Sequence, residues 1–380
     1  MKKIITFTLF CVFIYALSTQ SYASEINNEV TSSLQNELEQ FKNSLPEYVQ
    51  DFFPNGILDG DFTSLINGEL NEGKFLDQIG NYLIIELDSV FKSFASVLIL
   101  IIISGLFNTL SATMLDVNIS NTFSICSTLC ISITVFNLCN ILASNVTHYI
   151  QLLCNVMNAF LPIMIALLTI SGNISSAVVS NGSMLLFISI VQGFLVTFML
   201  PLTKICLVFS CIKGFGGPCD LSGISKTLKN TFTSAVVFVM SIFMFVLSYK
   251  NTLSQSVDSI SLKTARFAIS SLVPLVGSSV NEALRTVTSS LSLIKKSCGI
   301  VAIIIIAVMM LPLIVNLLLN KLSFNFLSSF SKALGNGNES HILEEADHTC
   351  GFLLTIVACT CVLFIFALTI FIKTSIEVGI

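Results

Sequence analysis

Residues 93–203 of this chain carry one formally charged side chain, Asp116, and residues 117–203 carry none. A chain folded in water presents roughly a quarter charged residues, so no water-facing surface can be built from this stretch. Lipid must take the place of water as its solvent. In lipid every backbone donor and acceptor has to be paired within the protein, and a run of about 20 apolar residues does this as a helix. The expected fold class is therefore all-α: a polytopic membrane protein of about seven or eight transmembrane helices. The whole chain agrees, with 54% hydrophobic and 11% charged residues and a mean hydropathy of +0.88.

Residues 1–23 read as a secretory signal peptide. Lys2 and Lys3 form the positive amino region, Ile4 to Leu17 the apolar run, and Ser21 and Ala23 the small residues before a cleavage point. Residues 24–90 follow as an acidic extracytoplasmic domain. They hold 13 of the 22 acidic residues and only Lys42 and Lys74 as bases, a balance suited to an exported segment. Leu34, Leu38, Phe41 and Leu45 recur at helical spacing, and Gly-containing breaks follow at 55–56, 59–60 and 71–73. Short amphipathic helices, lying near the membrane or on a partner, are expected. None of the twelve cysteines falls in 24–90, so this is no disulfide scaffold. The membrane cysteines read as soft apolar fillers.

The membrane domain, 91–380, shows apolar runs near 94–112, 123–143, 150–170, 184–211, 231–249, 299–320 and 350–372. A weaker run, 267–281, is interrupted by Pro274 and Gly277 and suits a re-entrant or interfacial segment. The chain also resembles itself. Met199-Leu-Pro-Leu202 recurs as Met310-Leu-Pro-Leu313, and Leu161-Pro-Ile163 matches Val273-Pro-Leu275. Repeat units of three elements each, 123–211 and 231–320, would be inverted relative to one another. Seven spans with an exported amino end would leave 250–298 cytoplasmic. That suits its six bases, but it leaves Lys213, Lys226 and Lys229 outside, against the positive-inside rule.

No phosphate loop, metalloprotease or nucleophile-elbow pattern appears, so the expectation is no enzyme, no cofactor and no nucleic acid. His341, Glu344, Glu345 and His348 would share a helix face that could suit a metal; a solvated loop after Gly335-Asn336-Gly337 is the plainer reading. Amides are the more telling groups. Gln151, Asn155 and Asn158 form one polar stripe, and Asn137 with Asn140, and Asn316 with Asn320, make similar pairs. Such groups bond helices together in lipid or line a wet conduit. Pro162, Pro201, Pro274 and Pro312 are candidate helix breaks, since proline removes a backbone donor and clashes with the preceding turn. Lys263 and Arg266 flank the weak run and are candidates for partner docking or interface anchoring. No acidic or basic residue lies well inside the seven runs, which argues against proton-coupled transport.

Ser261-Leu-Lys-Thr-Ala-Arg-Phe267, Leu272-Val-Pro-Leu-Val-Gly277 and Asn281-Glu-Ala-Leu-Arg-Thr-Val287 resemble signatures of the stage III sporulation protein AE family. So do Phe160-Leu-Pro-Ile-Met-Ile-Ala-Leu-Leu-Thr-Ile-Ser-Gly172 and Ser292-Leu-Ile-Lys-Lys296. The resemblance implies a non-enzymatic membrane subunit, conduit or scaffold, of a secretion-like channel complex between mother cell and forespore. It implies a multi-pass location in the mother-cell-derived membrane around the forespore. Implied partners are ring-forming bitopic membrane proteins and a secretion-type ATPase. The alternative, which the internal repeat favours, is a small-solute transporter.

Overall fold

The computed structural model describes residues 36–50, 72–114, 117–171, 173–214, 222–272 and 277–373, and all regular structure among them is helical. Two short helical segments, 36–44 and Glu47–Gln50, come first. The bundle follows as α1 (Glu72–Met114), α2 (Val117–Ile170), α3 (Ile174–Ile190), α4 (Thr197–Gly214), α5 (Ser222–Leu272), α6 (Gly277–Ala333) and α7 (Gly337–Lys373). A single stretch of π-helix, Val191–Val196, joins α3 to α4 without a turn, so the two form one rod. Among the described residues six helical stretches are long and apolar enough to cross a membrane. The polytopic all-α architecture expected from the charge-free stretch is what the chain forms.

Side-chain pairings fix which helix ends lie together. At one end Ser127 of α2 donates to Glu339 of α7 at 2.6 Å, and Asn108 of α1 donates to Asn336 at 2.6 Å. Ser225 of α5 reaches Glu345 at 2.5 Å. At the other end the rings of Phe160 (α2) and Phe371 (α7) meet edge-on at 6.2 Å. There Asp258 of α5 accepts from the backbone of Ser175 and Ser176 at the start of α3, both at 2.9 Å. These two ends are called here the loop pole, after the α6–α7 turn, and the amino pole. Between them lie 32–33 residues of helix on α2, α5 and α7 alike, or about 50 Å at 1.5 Å per residue.

The segment 36–50 meets the chain's own helices. It is packed against the bundle. Phe41, Leu45 and Val49 are buried, the Phe41 ring stands 5.3 Å from Phe160, and the Tyr48 hydroxyl donates to the Met309 carbonyl at 3.2 Å. The helical spacing of apolar residues predicted the buried face. What it could not predict was that the chain's own helices would cover it.

Seven apolar runs therefore become six crossings. The runs 123–143 and 150–170 lie on one uninterrupted helix of 54 residues. The polar stretch between them contains neither Gly nor Pro, so nothing turns the chain, and Val146, Thr147 and Ile150 are buried on the helix's inner side. The run 184–211 is spread over α3, the π segment and α4. In consequence 123–211 and 231–320 each contain two long helical rods rather than three elements, and an even number does not invert a unit. Nor do the prolines break their helices: α2 continues through Pro162, α4 through Pro201 and α6 through Pro312. Pro312 is buried while Pro201 is exposed, so they do not occupy equivalent positions. Pro274 lies outside the described residues. The π segment directly before Pro201 shifts hydrogen bonds by one residue, a common local accommodation in a helix under strain.

The α6–α7 turn is made by one residue in the left-handed region. Gly335 has φ of 80°; its N–H donates to the Lys332 carbonyl and that of Asn336 to Ser331, both at 3.0 Å. This is the double bond pattern of a Schellman end. At the far end of the same helix pair, a Cβ on Gly299 would fall on the Ile372 side chain, so the helices touch backbone to side chain there. Gly335→Ala should cost about 1 kcal/mol, because φ stays positive while a Cβ is added. The change should appear as a lower midpoint of thermal unfolding in detergent, with the helical content at low temperature unchanged.

Candidate functional site

At the loop pole the first three turns of α7 carry Glu339, Glu345 and Asp347, all buried. Glu339 is the third residue of α7 and Asn336 its cap. Asn336 Nδ2 donates to Glu339 Oε2 at 3.0 Å. Glu339 Oε1 accepts from Ser127 at 2.6 Å and also from Ser104 of α1. Among the described residues Glu339 meets hydroxyls and an amide but no cation. The positive end of the α7 dipole favours a negative charge at this place. One carboxylate thus ties α1, α2 and the α6–α7 turn together.

One turn and a half further on, Glu345 Oε1 accepts from Ser225 and from Lys229 of α5, and Lys229 also donates to Thr349 at 2.8 Å. Both members of the ion pair are almost fully buried. Asp347 pairs with Lys321 of α6 at 2.8 Å, in a half-exposed setting. Beside these pairs opens a cavity of about 270 Å³ whose lining includes Lys226, Lys229, Lys321, Glu345, His348 and Phe352. The arrangement neutralises charge and locks α1, α2, α5 and α6 onto α7.

These groups overturn one reading of the sequence and add to another. His341, Glu344, Glu345 and His348 are not in a loop: they lie on α7. Glu344 is engaged by Lys332 and by His341 Nδ1 at 3.3 Å, while Glu345 turns inward to Lys229. No group of three metal-ligating side chains is found among the described residues. Second, ionised side chains do occur within the bundle. Besides those above, Lys295 is buried with its Nζ 5.9 Å from the Phe371 ring centre, within cation–π range. Asp258 is buried too, and it caps α3 with two backbone bonds and one from the Ser176 hydroxyl at 2.7 Å. These residues escaped notice because they stand outside the apolar runs, while the helices extend well past those runs.

The amides divide. Asn320 bonds Asn316 of its own helix, through both the side chain and the carbonyl at 2.9 Å. Neither of those bonds joins two helices. Asn140 is half-buried, and Asn137, Gln151, Asn155 and Asn158 are exposed. Lys263 is exposed on α5 and Arg266 is on the same helix; both lie past Asp258 at the amino pole.

Six apolar crossings locked by buried charge pairs at one end define a multi-pass, all-helical membrane protein. The model of the stage III sporulation protein AE family matches residues 61–375. The chain belongs to that family. It is 24% identical over 241 residues to stage III sporulation protein AE of Bacillus subtilis (strain 168), which is 63% of this chain and 60% of that protein's length. No solved structure matches the chain. The family is one of sporulation membrane proteins and not a known enzyme family.

Removing one member of a buried pair leaves an uncompensated charge, whereas removing both need not be costly. Lys229→Met should destabilise the bundle by about 3–5 kcal/mol. Adding Glu345→Met to it should restore most of the loss. A double-mutant cycle on thermal unfolding in detergent would measure this; a loss in the double variant equal to the sum of the two single losses would show that the pair is not coupled.

Proposed function

We propose that this chain is a non-enzymatic membrane subunit, conduit or scaffold, of a secretion-like channel complex between mother cell and forespore. Family membership over most of the chain carries this reading. The α7 network supports it, since its charges are spent on holding helices together. On this reading the partners are ring-forming bitopic membrane proteins and a secretion-type ATPase. The protein sits in the mother-cell-derived membrane around the engulfed forespore.

Six crossings also suggest an orientation. With the segment 24–90 exported, the amino pole is extracytoplasmic and the loop pole cytoplasmic. Lys213, Lys226, Lys229, Lys321 and Lys332 then fall on the inside, where the positive-inside rule wants them. The ends of α5 and α6 beyond the amino pole, with Lys263 and Arg266, face the intermembrane space. They are available there for a partner or for the headgroups. The former expectation that 250–298 is cytoplasmic required seven crossings.

In intact cells, cysteines placed at Ser33 or Ser64 should react with a membrane-impermeant thiol reagent. One placed at Asn338 should react only after lysis. The opposite pattern reverses the orientation. For the function itself, deleting the gene should arrest spore formation after engulfment and silence a late reporter in the forespore. Restoring the chain should rescue both, and a deletion strain that sporulates normally would refute the reading. Replacing Lys263 and Arg266 with Gln should lower spore yield at unchanged membrane level if they dock a partner.

A further inference from the structure

The exposed face of α2 carries Ser144, His148, Gln151, Asn155 and Asn158. Their spacing is four, three, four, three, so they form one straight stripe along the helix, about 21 Å long at 1.5 Å per residue. Between them on the opposite side lie Val146, Ile150, Leu153, Cys154 and Met157, all buried. Ser144, Gln151, Asn155 and Asn158 make no side-chain hydrogen bond among the described residues, and the ring of His148 meets that of its neighbour Tyr149 edge-on at 6.2 Å.

The stripe starts in the hydrocarbon at Ser144, about 24 Å along the helix from Phe160, and runs out to the amino-pole interface at Asn158, about 3 Å from it. Ser127 touches Glu339 and Phe160 touches Phe371, so α2 and α7 advance in step. Residues 144–158 are therefore level with about 356–370 of α7, a stretch without a charge. Lipid tails offer nothing to a polar side chain, so facing them would leave Ser144, His148 and Gln151 unsatisfied. Upstream on the same helix, the outward positions Phe123, Ile125, Leu129 and Ile133 are apolar, as a lipid face should be. The polarity is confined to one stretch of one face.

We propose that this stripe is the contact through which two copies of the chain associate within the membrane. An amide both donates and accepts, so a stripe of amides is complementary to itself. It bears no formal charge apart from the titratable histidine, so it selects no oppositely charged partner. Its spacing averages 3.5 residues, the period at which two helices stay in register along a shallow left-handed crossing. At its amino-pole end the stripe runs into a groove of about 480 Å³ lined by Glu37, Asn158, Pro162, Asn181 and Leu185, which leaves room for a neighbouring side chain to enter. Interhelical amide bonds in lipid are individually modest, and several along one stripe act together.

The inference needs only the membrane, not the proposed sporulation role, so it is tested with the purified full chain in lipid vesicles. Benzoylphenylalanine at position 155 should photocrosslink to give a product of twice the mass whose peptides both come from this chain. Two differently tagged copies should be isolated together from mixed vesicles. Joint replacement Gln151→Leu, Asn155→Leu and Asn158→Leu should lower that co-isolation roughly tenfold or more, and Asn155→Gln should preserve it. Crosslinks to lipid alone overturn the proposal, as does co-isolation of the triple-leucine copies at the unsubstituted level. If the triple variant does not accumulate, the photocrosslink at 155 decides. In cells, a crosslink from position 155 to a different protein and never to a second copy would also overturn it.

Discussion

Hydrocarbon cannot hydrogen-bond, and this constraint organises the whole molecule. A polar group placed at depth must find its partner in the protein. Among the described residues the chain collects its buried ionisable side chains at two levels, one near each pole. At the loop pole Glu339, Glu345 and Asp347 are met by hydroxyls, an amide and two lysines drawn from α1, α2, α5 and α6. At the amino pole Asp258 is met by the first turn of α3. Each level gathers helices that are far apart in sequence, because one carboxylate offers several acceptor positions. The packing of apolar side chains fills the space between, but it does not discriminate one helix arrangement from another as sharply as these pairings do.

The separation of the two levels matches the solvent they face. About 50 Å of helix between poles is slightly more than the 40–45 Å of a bilayer with its headgroups. The charged levels therefore fall at the interfaces, where lysine can also extend its ammonium toward water. Helices longer than this must continue past the interface. The end of α5 and the beginning of α6, residues 259–272 and 277–294, do so at the amino pole. They are also the polar parts of those helices, and several of the family-like motifs lie there.

Much of this was legible in the chain. The absence of charge from 117 to 203 fixed the solvent, and the apolar runs located the crossings. The spacing of Gln151, Asn155 and Asn158 marked one helical face. What failed was the reading of polar interruptions. The six residues 144–149 separated two apolar runs, yet Val146 and Thr147 face inward, and no Gly or Pro stops the helix. The buried ion pairs failed for the opposite reason. Lys229 and Glu345 stand 116 residues apart outside any apolar run, and only the fold brings them together. Prolines misled because a helix in a packed bundle can lose one hydrogen bond and continue, with neighbours or a π segment absorbing the strain. The short segment 36–50 showed its apolar face plainly; that it would dock on Phe160 and Met309 depended on helices far along the chain.

Comparison of the two kinds of polar group in the bundle gives the strongest statement about what the molecule lacks. At the loop pole the buried carboxylates of Glu339, Glu345 and Asp347 all accept hydrogen bonds. On the amino-pole half of α2, Ser144, Gln151, Asn155 and Asn158 face outward, and among the described residues their side chains make no hydrogen bond. Evolution of a monomer in lipid would replace those residues by leucine at little cost, since nothing in the bundle depends on them. Their outward position is therefore better explained by a surface that is covered when the protein works. The inner side of the same helix stretch is among the most tightly buried in the chain, so α2 cannot rotate to hide the stripe without withdrawing Ile150, Leu153 and Met157 from the core. The stripe's orientation is fixed by packing, and for the part that lies in hydrocarbon, Ser144 to Gln151, a polar surface at the same depth is what can satisfy it.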